Sequence, residues 1–407
     1  MKISRNRVIV AWATAIVAVM HAPISQALDV SQASFTWLGS LPGDQISAVH
    51  ALSDDGSTIV GSSYANPNSP TGVVRAFRWT RETGLQVIGD LAGGNHSSEA
   101  VGVSGDGSVI VGSSSSALSY SNHPYYHEPF MWSAGEGMKA LGYLPGTNGR
   151  YGGATAVSGN GAVVVGTSTG DNGAHPFRWS AATGMVDLGD LDSNWGNQDS
   201  AFAVNSDGTV IVGMSQLGWD RTAFRWTAAN GMQPLGTLLT SASGSREQYS
   251  VALSTSEDGS VVVGSAYSDD GGIEAFRWTA TSGMQGLGKL PQAAISISDA
   301  RAVSADGNVI VGSAIDAQGQ TRAILWNQAG MHALQDLLVE KGAASAIGNG
   351  HLIAAVDIST DGRTIIGSGY GPAGEQAWIA TLVPEPSCIA LLITGAVPVL
   401  RRCRCSR

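Results

Sequence analysis

Histidine and carboxylate gather most densely in Asn122-His123-Pro124-Tyr125-Tyr126-His127-Glu128. Two imidazoles and a carboxylate in one short segment are ligands that zinc accepts. The competing expectation, an exposed polar loop, is preferred. Paired carboxylates occur at Asp54-Asp55 and Asp269-Asp270. A calcium loop needs several oxygen ligands at close alternating positions, and neither pair supplies them. No cofactor is therefore expected, with a structural calcium left open. The chain has no H-E-x-x-H and no phosphate-cradling glycine loop, and no catalytic residue is assigned. An Arg recurs between Phe and Trp at Arg78, Arg178, Arg225 and Arg277, but Met131 and Leu325 fill the same slot elsewhere. A slot that accepts apolar side chains packs, with the Arg stem covering apolar surface.

The elements behind these residues repeat. Seven times the chain reads Ser-x-Asp-Gly or a close variant, then a β-branched run ending in Gly, then Phe-x-Trp or a variant. The closing glycines are Gly61, Gly112, Gly166, Gly213, Gly264, Gly312 and Gly367. A period of roughly fifty residues marks a repeat architecture. Asp-Gly and Asn-Gly suggest two-residue type I′ hairpins, which need positive φ at both central positions. Phe77-Arg78-Trp79 alternates as a third strand, and Leu-Gly-x-Leu, as in Leu188-Gly189-Asp190-Leu191, is read as the fourth. Four antiparallel strands per repeat make one propeller blade.

The last repeat lacks its Leu-Gly-x-Leu, and the missing piece stands at the other end as Leu38-Gly39-Ser40-Leu41. A ring closed by pairing an N-terminal strand with the last blade explains both facts. The expectation is an all-β, seven-bladed propeller of four-stranded blades over residues 28–382, with the Ala-Val-Ser strand innermost. Around Met331 to Lys341 a short helix or loop is expected. Abundant glycine (54 of 407) serves the turns.

Both ends read as processing segments. Lys2, Arg5 and Arg7 precede an apolar run from Val8 to Met20 and then Ser25-Gln26-Ala27. That is the order of a secretory signal peptide, cleaved after Ala27, with residues 1–27 removed. Residues 383–407 hold Pro384-Glu385-Pro386, an apolar stretch from Cys388 to Leu400, and Arg401, Arg402 and Arg404. A short apolar segment closed by cations stops at a membrane with its charges on the cytoplasmic side. All three cysteines lie in this tail, so the domain has no disulfide.

This tail resembles the PEP-CTERM sorting signal of Gram-negative bacteria. The resemblance implies export across the inner membrane, processing by an exosortase, and display at the cell surface or release into the extracellular matrix. It also implies a setting of exopolysaccharide production. The repeats resemble the extracellular HAF-repeat family, named for His-Ala-Phe ahead of the Trp. Phe177/Trp179, Phe224/Trp226 and Phe276/Trp278 match, whereas the His is present only as His175. That family has no common assigned activity, so the resemblance implies architecture and export rather than chemistry.

Removing the two end segments takes seven of the 22 basic and one of the 32 acidic residues, leaving 15 and 31. A domain this acidic does not bind a nucleic-acid backbone. The loops fall into two sets. The Asp-Gly turns and the connections after each Trp are short and uniform and lie on one face. The loops on the opposite, variable face differ between copies and collect Tyr64, Tyr125, Tyr126, His127, Tyr151, Trp195, Trp219, Tyr249 and Tyr267. Tyr and Trp offer flat amphipathic surfaces for recognition. The expected function is a non-catalytic, exported binding or structural propeller, with polysaccharide as the partner class. The alternative is a secreted polysaccharide hydrolase or lyase using the propeller mouth, which would need carboxylates converging near the axis.

Overall fold

The computed structural model describes residues 30–384, except 66–72, 95, 119–126, 146–150, 171–172, 193–196, 241–247 and 294–295. Seven antiparallel sheets follow one another around a ring. Blade 1 runs Ile46–Leu52, Thr58–Tyr64, Val74–Thr80 and Gly84–Val87, from the innermost strand to the outermost. Blades 2 to 6 repeat this order, starting at Ser98, Gly152, Ser200, Ser250 and Ser298. Blade 7 combines His351–Ile358, Thr364–Gly371 and Gly374–Pro384 with the N-terminal strand Val30–Gly39 as its outermost member. Phe35 faces Ala380 and Trp37 faces Trp378 across that closing pair. The expected seven-bladed propeller, closed by the N-terminal strand, is the observed fold.

Backbone hydrogen bonds also link neighbouring blades at the axis, blades 7 and 1 included. The N–H of Asp54 donates to Gly105, that of Gly105 to Gly159, that of Asn160 to Ser206, and that of Ser206 to Glu257. The N–H of Ala305 donates to Thr360, and that of Thr360 donates back to Asp54. These residues sit in or beside the x slot of Ser-x-Asp-Gly, so the innermost strands meet side by side, as expected for the Ala-Val-Ser strand.

Two sequence expectations need correction. First, the Asp-Gly turns are not type I′. In each, only the glycine has positive φ, for example 70° at Gly107, and no turn aspartate does. The Gly107 N–H donates to the Ser104 carbonyl, while Ser104 Oγ donates to Asp106 Oδ1 at 2.7 Å and accepts from Val109 N–H at 3.0 Å. The serine thus makes a four-residue unit in which one left-handed glycine suffices.

Second, Leu-Gly-x-Leu is not the fourth strand. That strand is the four-residue piece before it, as in Gly184–Asp187. Leu-Gly-x-Leu is a strap to the next blade. Its second leucine donates its N–H to a serine of the next blade, as Leu91 does to Ser114 Oγ at 3.0 Å. Its glycine carbonyl accepts from another, as Gly89 does from Ser98 Oγ at 2.8 Å. Ser98 Oγ also accepts from Ala76 N–H at 3.2 Å, so one hydroxyl joins two blades. At the closure the same contacts join Leu38-Gly39-Ser40-Leu41 to Ser47 and Ser63 of blade 1.

Apolar surface is buried between blades rather than within them. Leu41, Val49, Leu52, Ile59 and Phe77 of the strap and blade 1 meet Ile366, Ala377 and Ile379 of blade 7. Between blades 6 and 7 a helical segment replaces the strap, with helices Leu334–Leu338 and Ala344–Ile347. It buries Leu334, Leu338 and Ile347 with Phe35 and Trp378.

Candidate functional site

The strand directions fix the two faces. Each innermost strand runs toward its Asp-Gly turn, and each third strand runs toward the short turn after its Trp, so both turn sets share the uniform face. The variable face carries the other loops. Among the described residues, seven of the eleven exposed large apolar side chains lie there: Val73, Leu118, Tyr151, Leu217, Trp219, Ile297 and Tyr370. Trp219 is 71% exposed, on a loop that blade 4 presents. These side chains make apolar surface of this face accessible to solvent.

The expected recognition residues divide as follows. Tyr249 and Tyr267 are brought together, with ring centroids 5.4 Å apart and the Tyr267 N–H donating to the Tyr249 carbonyl. Tyr151 is 42% exposed at the start of the innermost strand of blade 3. Tyr64 is half-buried and donates to Glu99 Oε1 at 3.4 Å. Burial, with the Glu99 charge, pushes its phenol up to about 12. His127 is half-buried beside Ser113 Oγ at 3.4 Å, and burial lowers its imidazole. Tyr125, Tyr126 and Trp195 lie outside the described residues, as do Ala27, Glu385, Pro386, Arg401, Arg402 and Arg404. Pro384 is the last residue of its strand, paired with Val30.

The candidate metal groups have local work. Glu128 is buried and accepts from Ser116 Oγ. His123 lies outside the described residues. Asp269 accepts from Thr240 N–H, and Asp270 accepts from Gly272 and Ser296 N–H, at 3.1 and 2.8 Å. Among the described residues no group of three or more His, Cys, Asp or Glu is arranged to hold a metal ion. Two of the recurrent arginines brace the next blade: Arg225 Nε donates to the Gly259 carbonyl at 3.2 Å, and Arg277 Nε to Gly307 at 3.3 Å, whereas Arg78 donates to Thr58 Oγ1 of its own blade.

Sequence reasoning missed the axial carboxylates. Asp54, Glu257 and Asp357 come from blades 1, 5 and 7 and line one cavity of about 150 Å³ at the uniform end of the channel. A shallower recess of about 470 Å³ beside it is lined by Asp207, Glu257 and Asp258. Leu52 N–H donates to Asp357 Oδ2 at 2.8 Å, across the seam where the ring closes. Burial still pushes the Asp357 carboxyl up to about 7, with a further push from Asp54. Burial also raises Asp54, followed by the charges of Glu257, Asp55 and Asp106. A signal existed. Asp357 stands where the other copies have Ala51, Gly102, Ala156, Ala203, Ser254 and Ala302, all paired to the same position of the second strand.

Asp357 carries a pH prediction. Its folded-state proton is held to about pH 7, whereas the unfolded carboxyl releases it near 4. The folded state therefore binds more protons between these values, and its stability contribution, complete below about pH 4, is lost as pH rises through 7. Asp357→Asn should remove that slope, narrowing the stability gap between pH 4.5 and 7.5 by on the order of 2 kcal/mol. Urea unfolding of both proteins at several pH values checks this; parallel pH profiles would contradict it.

No family model and no curated protein matches this sequence. Solved structures do match its shape. An oligogalacturonate lyase in complex with manganese aligns at a TM-score of 0.51 and 12% identity, over 89% of this chain and 96% of that one. The β-propeller domain of the Trilobed protease from Pyrococcus furiosus aligns at 0.51 and 9%, over 82% and 94%. A prolyl endopeptidase aligns at 0.51 and 13%, over 86% of this chain but 47% of the endopeptidase. At such identities the likeness shows the fold alone: this chain is a seven-bladed β-propeller.

Proposed function

We propose that the protein is an exported, non-catalytic propeller that binds a neutral polysaccharide of the extracellular matrix through its variable face. The observation that carries this reading is the gathering of exposed aromatic and apolar side chains on that face, Trp219 foremost. Aromatic rings stack on the apolar faces of sugars, and the amides and hydroxyls around them donate and accept hydrogen bonds. The excess of 31 acidic over 15 basic residues in the domain favours a neutral glycan over a polyanion. Residues 1–27 would direct export across the inner membrane of a Gram-negative bacterium. Residues 383–407 would be processed by an exosortase-like enzyme, leaving residues 28–382 at the cell surface or in the matrix, with no cofactor.

Glycan arrays and matrix pull-downs with residues 28–383 test this reading. Trp219→Ala should lower retention about tenfold, as an aromatic anchor worth about 1.4 kcal/mol would, with the melting temperature unchanged. Retention equal to that of the parent protein would overturn the assignment of this face.

A secreted hydrolase or lyase is the second reading, favoured by the convergence of Asp54, Glu257 and Asp357. Their cavity of about 150 Å³ is smaller than the roughly 300 Å³ at which small-molecule sites begin. A carboxylate whose proton leaves near pH 7 suits general acid catalysis. Polysaccharide turnover by residues 28–383, abolished in Asp357→Asn, would establish this reading in place of the first.

A further inference from the structure

Both ends of the propeller leave from the uniform face. Third strands run from the variable face to the uniform one, so Gly374–Pro384 ends beyond its Asp-Gly turn, where Leu382 N–H donates to the Arg363 carbonyl at 2.9 Å. Val30 pairs with Pro384 at that same edge, and Ser31 Oγ donates to the Val383 carbonyl at 3.1 Å. Val30 and Leu382 are buried, which ties the exit point to the blade. Only residues 385–387 separate this point from the apolar stretch that starts at Cys388. Three residues span at most about 11 Å. The three inner strands of the blades are mostly six to eight residues long, which makes the disc about 20–25 Å thick. The tether is too short to reach round to the variable face.

We infer that, in the membrane-held form, the uniform face of the propeller lies next to a lipid bilayer and the variable face points away from it. This rests on the reading above that residues 383–407 deliver the chain to a membrane. The partner is the bilayer itself: hydrocarbon for Cys388 to Leu400, and anionic headgroups for Arg401, Arg402 and Arg404. The uniform face stands off rather than embeds. Asp106 on this face stays ionised, because hydrogen bonds from Ser104 and Ser108 hold its carboxyl down at about 2. Acidic turns and anionic headgroups repel, so the tether runs close to full stretch. The consequence is functional: the face with Trp219 and Tyr151 is the one presented to the surroundings.

The test uses the chain from residue 28 to 407, with Cys388, Cys403 and Cys405 changed to Ser, in vesicles of phosphatidylethanolamine and phosphatidylglycerol. Single cysteines replace Ser108 or Ser260 on the uniform face, and Gln318 or Ala373 on the variable face. Energy transfer from each label to a headgroup acceptor gives its distance from the bilayer. The uniform-face labels should lie about 20 Å closer than the variable-face labels. Equal or reversed distances, in protein that floats with the vesicles, overturn the orientation and leave the tail reading intact. Protein that does not float overturns the tail reading and the orientation with it.

Discussion

Deleting Phe35–Leu41 is expected to unfold the whole ring, not one blade. The deletion removes the strand segment that pairs with residues 377–380 and the strap that follows it. Phe35 and Leu41 are both buried, and each contributes on the scale of about 2–5 kcal/mol. Trp378, wholly buried against Phe35 with ring centroids 5.9 Å apart, would lose its cover. The Ala377 N–H would keep Ser47 Oγ, but that hydroxyl would lose its acceptor on Gly39. The sum exceeds about 5 kcal/mol, the lower end of total domain stability. The last blade would also expose an unpaired edge, a template for aggregation. Circular dichroism and native gel filtration of residues 28–383 with and without the segment check this. A folded monomer with an unchanged melting temperature would refute the closure.

The second large effect lies at the glycine that ends each β-branched run. A Cβ on Gly264 would overlap the Val251 carbonyl oxygen and crowd the Phe276 ring. The same overlap with the facing innermost-strand carbonyl occurs at Gly61, Gly112, Gly166, Gly213, Gly312 and Gly367. The cause is a bulge in each innermost strand, as between Ala252 and Ser254, which drives the backbone against the second strand. Gly264→Ala must therefore push two backbones apart in a close-packed blade. The expected loss is about 3 kcal/mol, the upper end for overpacking, because the obstacle is backbone rather than a movable side chain. By contrast, Gly135→Ala meets nothing within 4 Å and should be near neutral. Urea unfolding midpoints of both variants measure the contrast. Equal midpoints would show that the close approach does not govern the repeat.

The repeat could be read as a ring because its pieces carry strong local signals. Every Ser-x-Asp-Gly marks a turn, every Phe-x-Trp a third strand, and the displaced Leu38-Gly39-Ser40-Leu41 marks the closure. The turn type and the strap were hidden because both depend on serine hydroxyls meeting groups that pattern does not encode. Ser104 reaches Asp106 two residues on, and Ser98 reaches a carbonyl of the preceding strap. The bulges were hidden because an unpaired residue such as His50 breaks no periodicity that a seven-residue strand makes visible.

The axial carboxylates were hidden for a different reason. Asp54, Glu257 and Asp357 lie up to 303 positions apart and meet only because the ring closes. Attention to what differs between copies would have found them, since Asp357 replaces small residues and Asp54 and Glu257 replace Gly105, Gly159, Ser206, Ala305 and Thr360. On the variable face the same attention singles out Trp219, Tyr151, Tyr249 and Tyr267, because no repeat position requires an aromatic there, and the structure adds that Tyr249 and Tyr267 pack together.

The most direct test of the central claim sets the two faces against each other in one assay. Retention of residues 28–383 on extracellular polysaccharide would be measured for Trp219→Ala/Tyr151→Ala/Tyr249→Ala and for Asp54→Asn/Glu257→Gln/Asp357→Asn. The variable-face variant should lose at least about tenfold in affinity, and the axial variant should stay within about twofold. Loss in the axial variant with full retention by the variable-face variant would contradict the account.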